Sequence, residues 1–178
     1  MAKLLTALAV LLTLGACSNG NKPMSDARLR EFATRYATAW STQDPQRFAA
    51  FYTEDGRLQI NDGDSSIGRE AIAATAGVFM AAFPDMIVDL VSVAFDGDGD
   101  GDVDVDGDVD VDGDVDGNTA TFHWHWTGTN NGPGGTGLQV DMTGYEVWTF
   151  GPDGLIKESK GHLDQAEYDR QMGVVGES

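Results

Sequence analysis

The run Thr119-Ala-Thr-Phe-His-Trp-His-Trp-Thr-Gly-Thr129 alternates with period two and is rich in β-branched and aromatic residues. That is the pattern of a strand in a sheet covered on at least one face. A Gly-rich loop from Asn130 to Gly137 follows, then Leu138 to Phe150, the turn Gly151-Pro-Asp-Gly154, and Leu155 to Asp164. Glycine and proline clusters between such runs punctuate hairpins, so the three predicted strands form an antiparallel meander. Everything upstream reads as cover for it.

Moving outward, Ser25 is placed to cap a helix in which Leu29, Phe32, Ala33, Tyr36 and Trp40 share one face. Asp44 is the predicted cap of a second helix with Pro45 at its first position and Phe48, Phe51 and Tyr52 inward. Thr53-Glu-Asp-Gly56 is read as its end, Arg57 to Ile60 as a short strand, and Asn61 to Asp64 as a turn. A third helix is predicted over 69–83, carrying Ile72, Ala76, Phe79, Met80 and Phe83, and Pro84 stops it. Met86 to Phe95 reads as a strand and Gln165 to Met172 as a short last helix. Helices first and an antiparallel meander after them give an α+β fold.

With 178 residues and 41% hydrophobic content the chain suits one globular domain. A formal charge of −18 excludes a generic nucleic-acid binder, which needs a basic patch. Residues 96–116 alone supply 11 of the 29 acidic groups, so the excess is local. At the N-terminus, Lys3 precedes an apolar run from Leu4 to Leu14 that is too short to span a bilayer. It ends in Leu14-Gly-Ala-Cys17, which resembles the lipobox of bacterial lipoproteins. The resemblance implies a signal peptide over residues 1–17, lipidation of Cys17, a tether over 18–24, and a domain anchored to a membrane of the cell envelope on the extracytoplasmic side. Cys17 is the only cysteine, so no intrachain disulfide can form.

From Asp96 to Gly117 the chain repeats Asp-Gly-Asp-Val-Asp-Val, a low-complexity sequence that builds no core. Removing 98–117 leaves an ordinary hairpin with an Asp-Gly turn, so these residues read as an insertion at a hairpin tip. Asp102-x-Asp104-x-Asp106-Gly107 reproduces the first half of a calcium loop, which makes a calcium-responsive loop an alternative function for this segment. The twelfth position of that loop is Gly113, where a bidentate glutamate is needed, and no neighbouring register is complete.

The series Asp44-Pro45, Phe48, Phe51-Tyr52, Asp55-Gly56, Gly68-Arg-Glu-Ala-Ile72, Phe83-Pro-Asp85, Trp148-Thr-Phe150, Asp153-Gly-Leu-Ile156 and Glu158 resembles the SnoaL-like branch of the nuclear-transport-factor-two-like superfamily. It spans roughly residues 28–172 apart from the insert, so the domain is drawn over 25–172 with a tail at 173–178. The resemblance implies a cone of curved antiparallel sheet packed on the N-terminal helices, frequent homodimers, and a pocket used by polyketide cyclases. Related folds serve as isomerases, dehydratases, epoxide hydrolases or binding domains, so fold leaves the activity open. SnoaL-like cyclases often carry Glu-His-Trp-Asp on the last strand, where this chain has Glu158-Ser-Lys-Gly161.

Strand parity places side chains. Glu146, Trp148 and Phe150 share the face with the large aromatics, and Phe122, Trp124 and Trp126 form the inner set of the preceding strand. His123 and His125 then point out, and with no third ligand in view they do not make a metal site. Counting from Ile156, Glu158, Lys160 and His162 are expected inside unless a bulge at Gly161 shifts the register, with Glu146 and Glu158 as carboxyl groups and His162 as a partner for proton transfer. Trp124, Trp126, Trp148, Tyr36, Trp40, Tyr52 and Phe79 are the expected ligand-binding residues. No dinucleotide fingerprint, phosphate loop or complete metal motif is present, so no cofactor is implied. Two functions fit: a lipid-anchored domain binding a small apolar molecule, and a cofactor-independent isomerase, cyclase or hydrolase working through Glu146 and His162.

Overall fold

The structure is a computed structural model describing residues 24–96 and 118–174. In chain order it comprises α1 (Asp26–Ser41), α2 (Pro45–Ala49), β1 (Tyr52–Ile60), β2 (Ser66–Ile67), α3 (Arg69–Ala82), β3 (Ile87–Phe95), β4 (Thr119–Thr129), β5 (Gln139–Phe150), β6 (Ile156–Leu163) and α4 (Gln165–Gln171). Cys17, the tether up to residue 23 and the acidic repeat over 97–117 with its calcium alternative lie outside the described residues.

Local chemistry fixes most element starts. Asp44 Oδ1 accepts the backbone N–H groups of Gln46 and Arg47 at 3.1 and 3.0 Å, and Pro45 opens α2. Ser25 stands at the N-cap of α1, but its side chain makes no cap hydrogen bond. Gly68 precedes α3 with φ of 83°, a conformation that favours glycine. The stretch Thr53-Glu-Asp-Gly56, read from sequence as a helix end, belongs to β1, whose pairing is irregular between Tyr52 and Arg57.

One six-stranded sheet runs β2-β1-β6-β5-β4-β3. The meander β4-β5-β6 is antiparallel as expected, while β1 lies parallel to β6 and makes the sheet mixed. β3 and β4 pair antiparallel as expected, and Asp96 N–H donates to the Thr119 carbonyl at 2.8 Å at the end of the pair. The curved sheet folds over the helices, and the core between them is aromatic. Trp148 stacks on Phe122 at 4.7 Å and meets Tyr36 edge-on at 4.8 Å, while Trp40 lies on Phe48 at 4.1 Å. Burying each such side chain contributes on the order of 1.5–3 kcal/mol, so this cluster is the main source of the fold's stability.

At the far end of the sheet, α4 is tied to β5 by a pair of bonds. Asp141 N–H donates to Gln171 Oε1, and Gln171 Nε2 donates to the Asp141 carbonyl. Tyr168 of α4 then stacks on Trp126. This seats the last helix against the end of the cavity described next.

Candidate functional site

The inner face of β4 and β5 is the one parity predicts. Phe122, Trp124, Trp126, Glu146, Trp148 and Phe150 are buried, and His123 and His125 lie on the other face. Strand β6 departs from it. Phe150 pairs with Ile156 but Thr149 pairs with Glu158, so Lys157 is an extra residue in the ladder. Everything beyond it changes face: Ser159 and Gly161 turn inward opposite Trp148 and Glu146, while Glu158, Lys160 and His162 pair with Thr149, Val147 and Tyr145. Glu158 therefore does not join the inner face. His162 borders the cavity, but its ring stacks on Tyr145 at 4.6 Å, in line with His123, and does not face Glu146. His125 binds Asp141 across the outer face at 2.7 Å.

Glu146 is the only acidic side chain buried in the core among the described residues. Its Oε2 accepts three bonds, from Tyr36 Oη at 2.7 Å, Trp148 Nε1 at 2.9 Å and Ser159 Oγ at 2.7 Å. Tyr36 Oη also bonds Tyr52 Oη at 2.8 Å. With the single Tyr36 proton committed to Glu146, Tyr52 is the donor of that second bond, giving a chain Tyr52 to Tyr36 to Glu146. Burial pushes the Glu146 carboxyl above its ordinary value, against the pull of the three donors. Burial, and the neighbouring Glu146 charge, likewise hold Tyr36 and Tyr52 well above theirs, so both remain protonated donors. Oε1 takes none of these bonds.

Glu146 forms part of the wall of a cavity of about 60 Å³. Trp40 and Phe79 line it from the helices and Trp124 and Trp126 from β4. Phe79 stands nearly perpendicular to both Trp40 and Trp126, at 85° and 76° with centroids 6.1 Å away in each case. The three rings thus meet edge to face along the cavity wall. Aliphatic groups from β1 and β3, among them Leu58, Ile60 and Val88, complete it. Tyr36, Tyr52 and Trp148, expected at the ligand, are instead fully buried behind Glu146 and support it. Gly144 lets Trp124 lie across β5: a Cβ there would stand 2.3 Å from Trp124 Cζ2. Trp126 Nε1 is the one buried side-chain polar atom among the described residues with no hydrogen-bond partner, its ring being enclosed by Phe79, Phe83 and Tyr168.

Sequence reasoning missed Ser159 and Gly161, both through the extra residue in β6. Gly161 lies beside Glu146: a Cβ there would sit in ordinary contact, 3.6 Å from Glu146 Cγ. Nothing in the run Lys157-Glu-Ser-Lys160 alternates in polarity, so only the pairing reveals it.

Chemically, the site offers one carboxyl oxygen to an otherwise apolar, ring-walled space. Such a group can accept a hydrogen bond, pair with a cation or exchange a proton.

Comparison with solved structures shows the fold. A protein assigned as a SnoaL-like polyketide cyclase from a Jannaschia species superposes with a TM-score of 0.66 at 18% identity, covering 86% of this chain and 96% of that one. A phenazine biosynthesis-related protein from Pseudomonas aeruginosa gives 0.60 at 18% identity, covering 85% and 92%. A hypothetical protein with a ketosteroid isomerase-like fold from Catenulispora acidiphila, solved with trimethylamine, gives 0.62 at 15% identity, covering 82% and 94%. At these identities the likeness concerns the fold alone. No curated protein matches the chain. The family model of the SnoaL-like domain matches residues 33–159, and with the cone of curved sheet and helices in place, the chain belongs to the SnoaL-like domain family.

Proposed function

We propose that this chain is a lipid-anchored binding domain that holds a small apolar molecule in the ring-walled cavity, outside the cytoplasm and beside the membrane. The observation that carries the reading is the cavity itself: a mostly apolar space among Trp40, Phe79, Trp124 and Trp126 with the Glu146 carboxyl in its wall and His162 at its border. Pockets of this make-up, mostly apolar with a few placed polar atoms, suit small ligands. The Catenulispora protein of the same fold was solved with a small molecule, trimethylamine. Anchoring rests on the sequence Leu14-Gly-Ala-Cys17. The outer sheet face, where His123, Tyr145 and His162 stack, is the surface we assign to a second copy of the chain.

Native mass spectrometry of the chain released from its own membranes tests the binding reading. A bound small molecule lost in Val88→Phe, which fills the cavity, supports it; an empty wild-type protein in every preparation removes it. Cys17→Ser should move the chain from the membrane to the soluble fraction.

A second reading is favoured by one feature. A carboxyl with raised proton affinity and one unbonded oxygen, backed by the Tyr52 to Tyr36 chain, is suited to general acid or base work. It would act alone, because the His162 ring lies on the other face. Turnover of a candidate substrate that survives Glu146→Gln would end it.

A further inference from the structure

The cavity's shape, its wall and the charge of the chain narrow the ligand class. Its volume of about 60 Å³ is under half of the roughly 150 Å³ of an engineered cavity that takes up benzene. As the walls stand, the occupant is smaller than a six-membered ring. Four aromatic side chains, Trp40, Phe79, Trp124 and Trp126, line it, and aromatic rings attract a cation coated with methyl or methylene groups. Glu146 Oε1, in a side chain only 6% exposed, lacks a donor among the described residues, while Oε2 is already saturated by three. Among the described residues no lysine or arginine lines the cavity to answer it, and the ring of His162, at the border, stacks on Tyr145. The chain's formal charge of −18 raises the local concentration of cations around the whole molecule.

We infer that the ligand is a compact alkylammonium ion of about the size of trimethylammonium, its N–H directed to Glu146 Oε1 and its methyl groups against Trp40, Phe79, Trp124 and Trp126. This rests on the cavity being a binding site, as proposed above, and adds the charge and the orientation. A neutral apolar guest brings Oε1 no donor, whereas an ammonium supplies both a proton donor and the opposite charge in a mostly apolar site. A ring-walled box lacking a carboxyl would favour quaternary ions; the placement of Oε1 favours a tertiary amine, which keeps one N–H.

The experiment titrates the mature chain, in non-ionic detergent, with trimethylammonium, tetramethylammonium and isopropanol, following the indole N–H resonances of its four tryptophans. Trp148 lies behind Glu146 and donates to Oε2, so its resonance reports on the carboxylate itself. The expected order is trimethylammonium tightest, then tetramethylammonium, then isopropanol, with the indoles of Trp40, Trp124 and Trp126 moving most. Glu146→Gln should weaken trimethylammonium roughly tenfold or more, the scale of a hydrogen bond to a charged group, and leave isopropanol within about twofold. Isopropanol binding as tightly as trimethylammonium in the wild type, or an unchanged trimethylammonium affinity in Glu146→Gln, rejects the ammonium and leaves the cavity as a binder of neutral molecules. The wild-type comparison decides this even where the variant folds poorly. No movement of any cavity indole with any probe rejects the ammonium and the binding reading together.

Discussion

Replacing Glu146 by leucine should cost the fold about 2–6 kcal/mol, and the figure follows from who bonds to it. Three buried donors converge on Oε2. Tyr36 can redirect its proton to Tyr52, and Ser159 is also within reach of the Tyr52 hydroxyl, so these two lose roughly 0.5–1.5 kcal/mol each. Trp148 Nε1 has no second acceptor and is left buried and unpaired, at a cost of about 1–3 kcal/mol. Glutamine at the same position keeps an acceptor for all three and resembles the protonated acid. The pH dependence separates the two effects. Because burial raises the Glu146 value in the folded state, both folded and unfolded chains hold the proton below the ordinary 4.5, and the contribution is complete there. As pH rises above 4.5 and through the raised folded value, the buried carboxyl must ionise against its surroundings and stability is lost. Urea unfolding followed by tryptophan fluorescence, run from pH 4 to pH 8 on wild type, Glu146→Gln and Glu146→Leu, measures both. Wild type should fall relative to Glu146→Gln as pH rises. A constant difference between those two across the range, or a leucine variant within about 0.5 kcal/mol of wild type, would refute this account of the network.

Ser159→Ala withdraws one donor from Oε2, so Glu146 should titrate at still higher pH, read by the carbon-13 shift of its carboxyl; a downward move would show that Ser159 does not bond the anion. Gly144→Ala sets a Cβ against Trp124 and the His162 carbonyl, and should destabilise by about 1–3 kcal/mol while displacing the Trp124 indole resonance. Asp44→Ala removes the cap of α2 and should cost about 1 kcal/mol in denaturant unfolding, with the cavity resonances unmoved.

The helices and the meander were legible because their signals are local. Leu29, Phe32, Ala33, Tyr36 and Trp40 recur at helical spacing, Asp44-Pro45 announces a start, and Thr119–Thr129 alternates without interruption. Glu146 was legible too, because it rides with Trp148 and Phe150 on one parity. What lay beyond reach depended on pairing partners. Whether β6 presents Glu158 and His162 or Ser159 and Gly161 is settled by the single unpaired residue Lys157, and polar residues on both sides of it give no contrast to read. Tyrosine's large ring marks it as core but is silent about its hydroxyl. Tyr36 and Tyr52 were therefore read as ligand walls, when they hold a carboxylate 110 and 94 positions further along the chain. The start of β1 was hidden for a related reason: Thr53-Glu-Asp-Gly56 has turn composition, and Gly56 fits where a Cβ would crowd Tyr52 and the Ile156 carbonyl.

The extra residue in β6 also bears on how such a pocket changes over generations. Deleting Lys157 would straighten the strand and leave Ser159 and Gly161 facing the helices, whereas one residue inserted between Lys157 and Glu158, with the bulge at Lys157 kept, would present Glu158, Lys160 and His162 to the interior instead. A three-nucleotide insertion at that spot would thus exchange a hydroxyl and a bare backbone for an acid, an amine and an imidazole in a single event. Descendants of one sheet can part company in chemistry by length before any residue lining the hollow has been replaced.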